Sequence, residues 1–165
     1  MPIVLLRIDE RLIHGQVVIG WGHHLRPTRY VVVDDELATS EWEQDLYRLG
    51  AGGAEVLFVT SRQARERLDE WRAEPERSIV LTRDIATMRR LAEGGSLEGE
   101  SVNVGGVHHG PDRDELLTYV HVSDAERQDL EAIAAAGVDV SARDLPDSLR
   151  VGLSSLLGSR WKSSK

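Results

Sequence analysis

The sequence predicts an α/β fold, a three-layer α/β/α sandwich built on an open, mostly parallel sheet of about six or seven strands. Three observations carry this. Aliphatic runs of strand length, such as Tyr30-Val-Val-Val33 and Val56-Leu-Phe-Val59, alternate with longer amphipathic stretches, the pattern of βαβ units. The runs are continuously apolar, which strands covered on both faces require. A chain of 165 residues with 41% hydrophobic composition can bury one good core. The expected organisation is a single domain over residues 1–158 with a polar tail over 159–165.

The elements follow in order. Ile3-Val-Leu-Leu6 reads as the first strand, and the pattern after it gives a helix at about 14–25 and a strand at 30–33. Next come a helix at 40–49, a strand at 56–59, a helix at 62–72, a strand at 79–81 and a helix at 84–93. Ser101-Val-Asn-Val-Gly-Gly and Tyr119-Val-His-Val-Ser flank a loop or hairpin through His108-His109, before a helix at 124–136. A last strand near Val138-Asp-Val-Ser and a terminal helix from Pro146 complete the layout. Ser40-x-x-Glu43 and Ser123-x-x-Glu126 have capping-box spacing, while Gly94 and Gly137 stand where helices end in a left-handed residue. Trp42/Leu46/Leu49, Ala64/Leu68/Trp71 and Leu149/Leu153/Leu156 recur at i, i+4, i+7, so their tryptophans are expected in the core.

Composition narrows the function. A net charge of −8 and no basic cluster beyond the short Arg160–Lys165 end argue against nucleic acid or anionic lipid as partner. No apolar stretch approaches the ~20 residues of a membrane span, and no signal-peptide order opens the chain, so a cytoplasmic location is expected. With no cysteine there is no disulfide, thiolate metal site or thiol nucleophile. The glycines form neither an NTP-binding loop nor a dinucleotide fingerprint. His23-His24, His108-His109 and His121 lack metal-ligand spacing and read as solvated side chains; neither metal nor cofactor is expected. Asp34-Asp35-Glu36 is either a solvated helix start or an acidic wall near the site.

What remains is Arg7-Ile-Asp9-Glu10-Arg11-Leu-Ile-His14-Gly15-Gln16, just past the first strand. Ligands of open α/β sheets bind beyond the carboxyl ends of strands, and a helix N-terminus there favours phosphate. His14 is the candidate nucleophile, Arg11 offers a fork of donors to phosphoryl oxygens, and Asp9 can orient Arg11 or the loop. Gly15 lets the backbone pass close to a charged group.

These residues closely resemble the active-site loop of IIB components of the mannose/fructose/sorbose family of the phosphoenolpyruvate-dependent sugar phosphotransferase system. The similarity extends through Leu81-Thr82, Leu91–Gly95, Ser101–Gly106 and Val122–Val140, covering about residues 2–158. The resemblance implies a phosphocarrier that takes a phosphoryl group on His14, at Nδ1, from a IIA phosphohistidine and passes it to a sugar held by a membrane IIC/IID permease. It implies that Arg11, Leu12 and Thr82 contact the phosphate and that Asp9 orders the loop. It is compatible with a homodimer and with peripheral contact to the permease. Two departures stand out, Ala51-Gly-Gly53 for a Pro-Pro-Gly turn and Thr82-Arg-Asp84 for Thr-Asn-Pro. The alternative readings are a regulatory or orphan phosphohistidine carrier not coupled to transport, and a domain that binds a small anion without covalent transfer.

Overall fold

The computed structural model describes residues 2–163, with side chains described through residue 158. The expected tail at 159–165 lies outside the described side chains. The chain forms β1 (Ile3–Ile8), a π-helical stretch (Gln16–Trp21) running into α1 (Gly22–Leu25), β2 (Arg29–Val33), a 3-10 turn (Leu37–Thr39), α2 (Glu41–Leu49) and β3 (Glu55–Val59). It continues with α3 (Ser61–Ala73), β4 (Ser78–Thr82), α4 (Ile85–Ala92), β5 (Ser101–Val104), a hairpin of β6 (Asp114–Leu117) and β7 (Val120–Val122), and α5 (Asp124–Ala135). The last elements are β8 (Asp139–Ala142), β9 (Val151–Gly152) and α6 (Leu153–Ser163).

Seven strands make one sheet in the order β3-β2-β4-β1-β5-β8-β9, and every pairing but β8 with β9 is parallel. Every residue of β2 and of β4 is buried, the consequence of helices on both faces. One core layer joins Val31, Val33, Val80, Leu6 and Ile8 to α3, α4 and α5 through Leu68, Trp71, Met88, Leu91, Leu130 and Ile133. The other joins Tyr30, Val32, Ile79 and Leu81 to the π-helix and the α2 side through Val17, Trp21, Tyr47 and Ala51. The expected three-layer fold is therefore present.

This arrangement fixes where a site can form. The connection leaving β1 packs on one face, whereas those leaving β4 and β5, its neighbours on either side, pack on the other. The loop after β1 thus stands at a topological switch point, where adjacent connections diverge and open a crevice. Among the described residues no helix is long and apolar enough to cross a membrane.

Several expectations are corrected. Trp42, Leu46 and Leu49 face outward, at 69%, 58% and 84% exposure, so that stripe of α2 is not core; Tyr47 turns inward instead. Ala64, Leu68 and Trp71 are buried as expected. No helix starts at Pro146, because residues 143–148 form a turn whose Ser148 carbonyl accepts from Arg143 Nε at 2.9 Å; β9 then intervenes and Leu149 is exposed. Ser40 makes no capping hydrogen bond, whereas Ser123 and Glu126 close a full capping box. A second box, Thr60 with Gln63, opens α3.

Candidate functional site

The loop from Asp9 to Gly15 is stitched to both neighbouring strands. Asp9 N–H donates to Thr82 O at 2.9 Å, and Glu10 N–H donates to Gly106 O at 2.8 Å. Leu12 then turns the chain at φ +58°, a left-handed conformation costing a non-glycine residue roughly 1–3 kcal/mol. Its fully buried side chain offsets that strain, packing with Val17 and Trp21. The turn drives Leu12 down and lifts Ile13–Gln16 onto the sheet's carboxyl edge. Among the described residues, the backbone N–H groups of Ile13, His14, Gly15 and Gln16 have no acceptor. The first helical bonds run instead to His14 O, from Val17 and Val18 at 3.0 and 2.9 Å. Four consecutive amides, His14 among them, are therefore open at the start of a helix, an arrangement that favours an anion.

Asp9 is fully buried and organises the loop from below. Its Oδ1 accepts the Arg11 N–H at 3.0 Å. Its Oδ2 accepts from Arg7 Nε and Nη2 at 3.2 and 3.1 Å and lies 3.0 Å from His14 Nε2. That last contact is close but off the ring's N–H direction, so it acts as an electrostatic contact rather than a directed hydrogen bond. Burial raises the Asp9 pKa, but His14 and the Arg7 charge outweigh it and hold the carboxyl below its ordinary range. The Asp9 charge therefore sits on the Nε2 side of the ring, away from Nδ1. The His14 side chain is 13% exposed; Nε2 is buried, while Nδ1 has no partner among the described residues and reaches the surface.

Arg7 is the residue that sequence reasoning missed. It is fully buried, with its guanidinium also donating to the Asn103 side chain and to the Arg143 and Asp144 carbonyls, and it lies 5.4 Å from the Trp21 ring centre. Burial lowers its pKa, and Asp9 opposes that shift. Gly105 makes room, since a Cβ there would stand 2.3 Å from the Arg7 guanidinium carbon. An arginine ending an apolar run looks like a strand leaving the core, and its partners come from around residues 103 and 143, too distant for any spacing rule.

The other expected residues fall as follows. Arg11 is exposed beside His14 and donates to Gln16 Oε1 at 3.2 Å. Thr82 is fully buried at the β4 terminus, and its hydroxyl donates to Asp84 O at 3.0 Å. The Leu12 N–H is likewise taken, by Asp9 O at 3.0 Å. Neither Leu12 nor Thr82 presents a free donor; both support the loop from beneath. Asp84 caps α4, and Arg83 stands 3.7 Å from Asp34. Asp34 accepts from Leu37 N–H and Asp35 from Ser61 N–H, so this acidic run is used to start a 3-10 turn and to hold the first residue of α3. His23 and His24 are exposed, and the His109 ring stacks edge-on against His121. Among the described residues no cluster of three or more side chains has metal-binding geometry.

An imidazole beside a buried carboxylate, on the loop at a sheet's switch point, defines a class, open α/β domains with a histidine loop at the carboxyl edge of the sheet. The family model described as PTS system sorbose subfamily IIB component matches residues 3–165, and the chain belongs to that family. It is a IIB component of a sugar phosphotransferase system. It is 35% identical, over 87% of its length and 91% of the relative's, to the N-acetylgalactosamine-specific phosphotransferase enzyme IIB component 1 of Escherichia coli K12. It is 27% identical to the mannose-specific EIIAB component of the same organism, matching 95% of this chain and 49% of that longer one. The crystal structure of manxB from Thermoanaerobacter tengcongensis superposes with a TM-score of 0.81 at 33% identity, covering 94% of both chains.

Proposed function

We propose that His14 is the phosphoryl acceptor of this IIB component, taking the group on Nδ1 from a IIA phosphohistidine and passing it to a sugar held by a membrane IIC/IID permease. The supporting observation is the division on one ring, with Nε2 against buried Asp9 and Nδ1 without a partner, on a loop whose four consecutive amides have no acceptor. A single-chain EIIAB relative is consistent with a IIA partner that meets this surface.

The donor's N–P bond breaks as the Nδ1–P bond forms in line, through a loose state whose charge sits on three equatorial oxygens. The amides of Ile13–Gln16 and the Arg11 guanidinium serve those oxygens, and with the ring proton on Nε2, beside the Asp9 charge, no proton moves in the first transfer. The ring enters pre-aligned because Asp9 is itself fixed by Arg7, and alignment is most of what such a transfer needs. Passage to a sugar hydroxyl releases a proton, which a base on the permease side takes up.

Incubation with phosphoenolpyruvate, the general phosphotransferase proteins and the IIA donor, followed by mass mapping, tests this. Acid-labile, base-stable label is expected at His14, and His14→Ala should take none while unfolding at the wild-type temperature. Label retained in that variant would overturn the assignment.

A further inference from the structure

Resting on that reading of His14, a second network next to the loop has its own consequence. Glu10 carries three contacts on one carboxylate. Its Oε1 accepts the His108 backbone N–H at 2.7 Å and lies 3.0 Å from His108 Nδ1, and its Oε2 accepts from Arg113 Nη1 at 2.8 Å. Arg113 also donates to His108 O at 2.8 Å and grips both Glu126 oxygens, at 3.0 and 2.7 Å. Glu126 belongs to the first turn of α5, where it accepts the Ser123 N–H and completes the capping box. A continuous line of charge-assisted bonds thus runs from a helix terminus through the 107–113 loop to the residue beside Asp9. The three linking side chains are largely shielded, with exposures of 23% for Glu10, 20% for Arg113 and 18% for Glu126. Their environments agree. Bonding to Glu126 raises the Arg113 pKa against burial, and Arg113 holds Glu126 below its ordinary range despite burial.

Backbone bonds fix the two loops only at their roots, through Gly105 N–H to Ile8 O at 2.8 Å and through Val107, which bonds Tyr119 and His121 at 2.9 and 2.8 Å; beyond Val107 the side chains of Glu10 and Arg113 make the link. The loops leave adjacent parallel strands, β1 and β5, and meet through Glu10 N–H to Gly106 O and a long 3.4 Å contact from Gly106 N–H to Asp9 Oδ2. His108 stands over Gly106, where a Cβ would lie 3.4 Å from its Nε2 and 3.5 Å from Asp9 Oδ1. Gly106, bonded to both Glu10 and Asp9, is thus the point where the 107–113 loop comes nearest to the carboxylate beside His14.

We propose that Glu10 and Arg113 are positioning residues for phosphoryl transfer, locking the His14 loop and the 107–113 loop into one rigid lip that the phosphodonor protein meets. Neither residue touches the phosphoryl group. Their effect reaches the reaction through Asp9 and the ring, where a misplacement of about 1 Å costs on the order of a hundredfold in rate.

The test is rapid-mix transfer from phosphorylated IIA to Glu10→Gln, Arg113→Met, Arg113→Lys and the Glu10→Gln/Arg113→Met double variant, at varied donor concentration. Each of the first two should lose about tenfold or more in the maximal rate, with label still on His14 and the donor concentration for half-maximal rate changed less. The double variant should lose little beyond either single one, because both break one chain, and Arg113→Lys should recover part of the loss. Arg113→Met stands outside the His14 loop and keeps the test open if Glu10→Gln fails to fold. Wild-type rates in the single variants, losses that multiply, or losses that follow melting temperature alone would overturn the inference. Failure of wild-type His14 to take label would instead remove the reading beneath it.

Discussion

At the residue scale the site rests on a buried charge pair that the motif only half displays. His14, Arg11 and Asp9 were legible because they lie within six residues of one another on a strand-to-helix turn. Arg7, Asn103 and Gly105 were not, since only the pairing of β1 with β5 brings them together. Gly105 gives the sharpest test. Its backbone is not in the left-handed region, so alanine strains nothing locally, yet its methyl would press on a guanidinium held by Asp9, Asn103 and two carbonyls. A free arginine tip would swing away; this one has nowhere to go without leaving Asp9 a partly uncompensated buried charge. Gly105→Ala should therefore cost about 1–3 kcal/mol, the range for overpacking, read as a lower urea midpoint at unchanged slope. A midpoint equal to wild type would mean that Arg7 is free to move.

At the element scale, periodicity locates a face without saying what covers it. The strands were readable because a doubly covered strand is apolar at every position, and β2 and β4 are buried throughout. The α2 stripe has the same i, i+4, i+7 spacing as α3, yet Trp42, Leu46 and Leu49 point to solvent while Leu68 and Trp71 are buried. Capping shows the same limit. Ser40 and Ser123 each precede a glutamate three residues on, but only Ser123 accepts the N–H at its third helical position, at 3.2 Å. Ser123→Ala should cost about 1 kcal/mol, the loss of a used cap. Ser40→Ala should stay within about 0.5 kcal/mol, as a surface change without such a bond does. Chemical denaturation of the two variants side by side decides this, and equal losses would show that spacing alone fixes the cap.

For the whole molecule, strand order was beyond the sequence, because runs of Val, Ile and Leu are interchangeable in composition and only their register selects neighbours. That order places β1 between β4 and β5 and so brings Asp9, Thr82 and Gly106 to one edge. Carboxylates held by charged partners, Asp9 at that edge and Glu126 on α5, make stability depend on pH. Asp9 and Glu126 both have folded pKa values below their ordinary 3.8 and 4.5, because desolvation is outweighed by His14 and Arg7 at Asp9 and by Arg113 and the Ser123 N–H at Glu126. As pH falls through those ordinary values, the unfolded chain takes up protons that the folded chain refuses, so acid favours unfolding. Their contribution is complete above pH 4.5 and drains away as the folded pKa values are crossed. At Tyr30 and Tyr119 burial prevails and raises the pKa values above 10.0, so an alkaline limb opens beyond that pH. Melting temperature followed from pH 7 toward about pH 3 should hold level and then fall, and Glu126→Gln should flatten part of the fall. A wild-type profile level down to the acid end would mean that Asp9 and Glu126 titrate alike in both states, and that the cations drawn around them hold nothing.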